Sequence, residues 1–283
     1  MVNIGYHTAK IQGKFLRSLY KSNLSNLVSL PIKQERQVPI KVYALSCERD
    51  LPEQVASLRS FIRHVGIPEV FTIMSDGSYT NQSIELLKRI HPCVDVQLLT
   101  KFQREDLPQS VYEYASQQAM GKKLAALMSI PIDGATLYTD SDILFFAGAS
   151  HLADLAIASD SHTYYLPDCK NSLDRRLIYA DLEMQDPINA GFILFKKALD
   201  WTESAQRLAK LPEKPNYFSE QTIVNLTIKR NQGIALPQDK YIMNVDDQFM
   251  YPDQFAGKSH QQQVAMRHYV SDVRHKFWLA KFA

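Results

Sequence analysis

The sequence predicts an α/β fold, a Rossmann-like, mixed but mainly parallel sheet flanked by helices. Three observations predict it. Short apolar runs alternate with helix-periodic segments from Pro39 onward, turn-forming residues separate them, and 45% of the 283 residues are apolar, enough for a substantial core.

Residues 1–38 stand apart from this pattern. No Asp or Glu precedes Glu35, while Lys10, Lys14, Arg17, Lys21 and Lys33 accumulate. Ile11, Phe15 and Leu19 recur at helical spacing beside those basic positions, which predicts an amphipathic helix with a cationic edge. The helix is expected to pack on the domain with its basic edge in solvent; a peripheral contact with an anionic membrane surface, or a targeting role, is the second reading.

Residues 39–283 read as a single domain, with no internal repeat, low-complexity tract or clear linker. The first strand is expected at residues 40–45, followed by the polar loop from Ser46 to Pro52. A helix at 53–65 carries Val55, Leu58, Phe61 and Ile62 on one side, and a strand at 70–74 ends in Ser75-Asp76-Gly77-Ser78. Then come a helix at 83–90, a strand at 94–98 and one long helix at 109–129 that Pro131, Asp133 and Gly134 terminate. Residues 135–146 form an apolar, strand-like run interrupted by Asp140-Ser141-Asp142. Beyond it the pattern is less regular, with strands at 192–196 and 264–270 and helices at 199–209 and 220–229.

Several function classes lose support. The 32 basic and 30 acidic residues leave a net charge of only +2, so no whole-molecule field favours nucleic acid. Cys47, Cys93 and Cys169 are odd in number and scattered, unlike a disulfide or zinc framework, and imply a reducing compartment. No apolar run reaches membrane-spanning length, so a soluble, cytoplasmic protein is expected. Gly-x-Gly-x-x-Gly after the first strand, a P-loop and a Gly-x-Ser-x-Gly elbow are all absent.

The positive signal is at strand ends. Ligands of open α/β sheets collect beyond the carboxyl ends of strands, and three such ends carry Ser46-Cys47-Glu48-Arg49, Ser75-Asp76-Gly77-Ser78 and Asp140-Ser141-Asp142. Two carboxylates one residue apart on an extended segment point to one face. Asp140 and Asp142 can therefore share a hard divalent cation that keeps positions open for phosphate oxygens.

Four segments in order resemble the GT-A glycosyltransferases that use nucleotide sugars, most closely the family of glycogenin and the bacterial lipopolysaccharide galactosyltransferases (family 8). Residues 137–144, Leu-Tyr-Thr-Asp-Ser-Asp-Ile-Leu, resemble that family's metal-binding Asp-x-Asp strand. Residues 188–195, Ile-Asn-Ala-Gly-Phe-Ile-Leu-Phe, are similar to its Asn-Ala/Ser-Gly strand. Residues 219–225, Ser-Glu-Gln-Thr-Ile-Val-Asn, resemble its Asp-Gln helix start, with Glu220 in place of Asp. Arg267-His268-Tyr269 followed by Lys276-Phe277-Trp278 resemble its C-terminal signature, although Phe277 stands where proline is usual, Ser271 replaces a glycine and two extra residues follow His268.

The resemblance implies a GT-A fold and a metal-dependent hexosyltransferase that moves a sugar, with retention, from a UDP-sugar or another nucleotide diphosphate sugar. It implies that Asp140, Asp142 and His268 hold Mn²⁺ or Mg²⁺, the imidazole favouring Mn²⁺. Ser46, Asp76, Lys123 and Ser141 would line the donor site, and Arg274 by spacing or Lys276 by local sequence would meet the phosphates. Asn189 and Gln221 would bond the sugar or face its anomeric carbon, and Glu220 would touch its hydroxyls or act as a base. The acceptor, whether glycan, lipid, protein or small molecule, is expected to meet residues 159–184, with Tyr164, Tyr165, Asp168, Arg175 and Arg176. The competing readings are a sugar-phosphate nucleotidyltransferase and a non-catalytic nucleotide-sugar-binding protein. The first usually carries glycines in the loop after strand one, and none stands at residues 46–50.

Overall fold

The structure is a computed structural model that describes residues 3–251, 253–255 and 263–282; residues 1, 2, 252, 256–262 and 283 of the expected segments lie outside it. Its frame is a seven-stranded sheet in the order β3-β2-β1-β4-β7-β6-β8. The strands are β1 (Gln37–Ser46), β2 (Ile67–Ser75), β3 (Val94–Leu98), β4 (Thr136–Thr139), β6 (Tyr164–Pro167), β7 (Ile188–Phe195) and β8 (Ile234–Ala235). The first four in that order pair in parallel, β7 runs antiparallel to both β4 and β6, and β6 pairs parallel with β8. A second sheet of β5 (Ile143–Phe145), β10 (Met266–His268) and β9 (Tyr241–Ile242) completes the expected mixed α/β architecture.

The period-two alternation of the strands builds two cores. Ile40, Val42, Ala44, Phe71, Ile73, Leu137, Phe192 and Leu194 face one cluster, which α3 (Leu51–His64), α4 (Asn81–Lys88) and α7 (Ser150–Ile157) cover. Tyr43, Met74, Tyr138, Ile193 and Phe195 face the other, under α5 (Gln109–Gln117), α6 (Ala119–Ser129), α8 (Thr202–Ala209) and α9 (Ser219–Arg230). Pro52 in the first turn of α3 and the Thr80 hydroxyl accepting from Ser83 N at the head of α4 set where these helices start.

Four expectations need correction. The long helix at 109–129 is two helices, because Gln118 is extended (φ −143°, ψ 148°) and α6 folds back against α5. Gly121 permits that approach: a Cβ there would collide with the backbone of Tyr114 and Ala115. The apolar run at 135–146 is not one strand. β4 ends at Thr139 and β5 belongs to the second sheet, so Asp140-Ser141-Asp142 is the connection between the two sheets. The C-terminal strand shrinks from 264–270 to β10, and β6 lies inside the segment read as a loop, where Tyr165 is buried in the core.

The N-terminal helix α1 (Ile4–Ser22) does pack on the domain, but by the face opposite the expected apolar stripe. Ala9, Gly13 and Tyr20 are buried; Tyr20 stacks on Trp278 of α10 (Phe277–Phe282), and Arg17 grips the buried Glu53 at 2.6 and 2.9 Å. Ile11 and Phe15 are left 71% and 66% exposed. Among the described residues no helix is long and apolar enough to cross a membrane.

Candidate active site

At the carboxyl ends of β1, β2 and β4 a cavity of about 550 Å³ opens, lined by Ser46, Asp50, Asp76, Lys123, Tyr138, Asp140, Ser141, Asp142 and Arg274 among others. It runs into a second cavity of about 270 Å³ that shares Lys123, Asp140, Asp142 and Arg274 and adds Asp168, Asn189, Glu220, Gln221 and His268. The three polar strand ends thus meet in one cleft, where the rule for open α/β sheets places it.

At the join of the two cavities, Asp140, Asp142 and His268 each aim one ligand atom at a common point, all within 4.8 Å of one another. His268 Nε2 lies 3.0 Å from Asp142 Oδ1 and 3.8 Å from Asp140 Oδ2. Neighbouring ligands of an octahedral ion with bonds of about 2.1 Å are about 3 Å apart, so the His268–Asp142 separation suits a small hard cation and Asp140 would draw closer on binding it. The backbone fixes it from both sides: Asp140 N donates to Gly191 O at 2.8 Å, and Tyr269 N donates to Asp142 O at 2.9 Å.

The side chains behind the triad are equally constrained. Asn189 Oδ1 sits 3.0 Å from His268 Nδ1, the outer contact that fixes the orientation of a ligating imidazole. The same oxygen accepts from Gly191 N at 2.9 Å. Asn189 thus braces His268 in this structure, where the sequence suggested a contact with the sugar. Gly191 is the residue that leaves room, since a Cβ there would fall 2.7 Å from Asp140 Oδ2 and 2.8 Å from Asn189 Oδ1.

Asp140 accepts from Lys123 Nζ at 2.8 Å and from the Tyr138 hydroxyl at 2.9 Å. Burial alone would lower the Lys123 ammonium, but Asp140, Glu220 and Asp142 overcome it and hold it above its ordinary value. Burial, with Asp140 beside it, pushes the Tyr138 phenol far up, so it stays a donor. Tyr138 was not foreseen, although it stands two residues before Asp140 and so shares its face of the strand.

Burial pushes the Glu220 carboxyl up to about 7, with Lys123 opposing and Asp140 adding to the shift. Its buried Oε1 has no hydrogen-bond partner among the described residues. Gln221 Nε2 donates to Asp168 Oδ2 at 2.9 Å, and Asp168, Cys169, Lys170 and Ser172 of the suspected acceptor segment line the smaller cavity. Tyr164 and Tyr165 lie instead in β6, and Arg176 is tied to Asp174 and Glu213.

The two candidate phosphate cations part company. Arg274 lines both cavities, 2.7 Å from Asp50 Oδ1 and 3.5 Å from Asp142 Oδ2. Lys276 is fully buried away from the cleft, with Nζ 3.0 Å from Asp247 in a cluster with Arg267 and Asp253. Lys276 ends the short helical turn at Arg274–Lys276 and points inward to Asp247. Asp50 is the partner the sequence did not single out; it was visible only as one of several charges in the first loop.

Strand order, second sheet and the acidic connection between the sheets define a GT-A glycosyltransferase fold. Among solved structures, the galactosyltransferase LgtC with donor and acceptor sugar analogues superposes with a TM-score of 0.54 at 14% identity, covering 86% of this chain and 95% of that one. The bifunctional glycosyltransferase WbbM gives 0.54 at 14% identity over 90% of this chain, which spans about half (51%) of the WbbM chain. GlyE of Streptococcus pneumoniae TIGR4 gives 0.51 at 14% identity, covering 88% of this chain and 61% of that one. No protein-family model and no curated protein matches the sequence.

Proposed function

We propose that the protein is a metal-dependent glycosyltransferase that takes a hexose from a nucleotide diphosphate sugar, with UDP-sugars the expected donors. The observation that carries this reading is the convergence of Asp140 and Asp142 with His268, 126 residues further along the chain, at the mouth of a nucleotide-sized cleft. Asp140, Asp142 and His268 would hold the cation, Mn²⁺ in preference to Mg²⁺ because one ligand is an imidazole. When bound, the ion would supply Lewis-acid stabilisation of the departing diphosphate.

The chain's own groups do the rest. Lys123 and Tyr138 hold Asp140 in place, and Asn189 holds the imidazole ring. Arg274, which has an exposed path into the cleft, would exchange Asp50 for a phosphate oxygen and take up negative charge as the sugar–phosphate bond breaks. Glu220 and Gln221 line the smaller cavity and would position the sugar and the incoming hydroxyl. Retention of anomeric configuration is the expected outcome; a product of inverted configuration would make Glu220 the general base. The exposed Ile11, Phe15 and Leu19 beside Lys14 and Lys21 support a membrane-surface contact by α1, which would bring the cleft to acceptors carried on lipid.

A thermal-shift screen of UDP-, GDP- and CMP-sugars with and without Mn²⁺ tests donor class and metal need together. The reading requires a Tm increase with UDP-sugars that depends on Mn²⁺. No stabilisation by any nucleotide sugar in either condition would refute it.

A further inference from the structure

A second cavity, of about 320 Å³, lies where the carboxyl end of α3, the end of α10 and β5 meet, and it shares no lining residue with the cleft described above. Among the described residues its charged and titratable lining is Arg59, Arg63, His64 and Lys281, with no carboxylate.

Arg59 spends Nη2 on Leu30 O at 2.9 Å, while its buried Nη1 has no hydrogen-bond partner among the described residues. Lys281, half-buried, has neither an ion-pair nor a hydrogen-bond partner among the described residues, and neither has the exposed side chain of Arg63. The groups also feel one another. Burial first, then Arg63 and Arg59, push the Lys281 ammonium down to about 8, and burial with Arg63 and Lys281 pushes the His64 imidazole down to about 4. Helix carboxyl ends offset only part of this, about half an elementary charge each, against three cations. A buried guanidinium donor without an acceptor, inside a cluster of uncompensated positive charge, is an anion site in its chemistry.

We propose that this pocket binds a phosphoryl group at a site separate from the donor cleft, with Arg59 Nη1, Arg63 and Lys281 as its donors. Two guanidinium forks and an ammonium suit a tetrahedral oxyanion of more than one charge better than a lone carboxylate. The cavity exceeds the volume of a phosphate, leaving room for the group that carries it, and the exposed Leu30 and Phe282 stand close by. Inorganic phosphate and the phosphate of a lipid headgroup share this chemistry.

The test is calorimetric titration of the full chain with inorganic phosphate in metal-free buffer, repeated in the presence of phosphatidylcholine vesicles with or without phosphatidic acid. Saturable phosphate binding is expected, weakened about tenfold or more in Lys281→Met and in Arg63→Gln, each losing one charge-assisted contact. Binding should persist in Arg274→Ala, which alters only the donor cleft. Competition by phosphatidic acid vesicles identifies a headgroup site, and its absence a site for soluble phosphate. Arg63 is exposed, so Arg63→Gln keeps the test valid if Lys281→Met misfolds. Absence of saturable binding, or affinities in both pocket variants equal to wild type, would overturn the proposal. The outcome is independent of whether the cleft transfers sugar.

Discussion

In Gly191→Ala the added methyl would fall inside van der Waals contact of His268 Cε1, 2.7 Å from Asp140 Oδ2 and 2.8 Å from Asn189 Oδ1. Contacts of this kind relax to about 3.5 Å, so two ligands and the brace behind them must move by about 0.7–1.2 Å. β7 is central in the sheet and buried along its whole length, so the strand itself cannot yield. Overpacking of this kind costs about 1–3 kcal/mol of stability. The effect on the metal should be larger, since disturbing the outer contacts of a metal site lowers affinity by about 10–100-fold. Titration with Mn²⁺, following the free-ion signal by electron paramagnetic resonance, measures that affinity, and circular dichroism checks the fold. A folded Gly191→Ala protein that binds Mn²⁺ as tightly as wild type would refute the claim that this glycine makes room for the triad.

Other perturbations test separate parts of the structure. Glu220 has a folded-state value, about 7, above its ordinary 4.5, so the fold holds its proton more tightly than the unfolded chain does. The associated stability is complete below 4.5 and is lost as pH rises through 7; Glu220→Gln should therefore exceed wild type in chemical denaturation by up to about 3 kcal/mol near pH 8 and match it near pH 4. A gain of the same size at both pH values would show that the carboxyl is not perturbed. Arg267→Met removes the guanidinium that pairs with the buried Asp247 and Asp253 and should cost about 3–5 kcal/mol, read as a large drop in Tm; a drop of a degree or two would mean that the cluster is not acting as an ion pair. Combined Ile11→Ser, Phe15→Ser and Leu19→Ser changes touch exposed positions, so each should shift stability by no more than about 0.5 kcal/mol while sedimentation with anionic vesicles falls. Undiminished sedimentation would remove the proposed membrane role of α1.

Much of the fold was legible because the strands obey a simple alternation. β1, β2 and β3 lie close to their expected places, since each is a short apolar run bounded by turn residues. What was not legible depends on long-range geometry. The break at Gln118 carries no Gly or Pro; it exists because α6 must turn back over the sheet, and only Gly121, three residues on, hints at the close approach. Likewise Asp140 and Asp142 converge at a connection between two sheets, although the sequence suggested a continuous strand. The apolar stripe of α1 was read as its packing face, yet small residues, Ala9 and Gly13, let the opposite face approach the C-terminal helix. Spacing pointed to Arg274 and local sequence to Lys276, and the sequence could not decide between them because the buried Asp247 that draws Lys276 inward is distant in the chain.

The most direct measurement is release of nucleoside diphosphate from UDP-hexoses by wild type, Asp142→Ala and His268→Ala, each with Mn²⁺ and with chelator. A metal ion held from both parts of the chain predicts Mn²⁺-dependent release by wild type and none by either folded variant. Equal release with chelator present, or full activity in both variants, would contradict it.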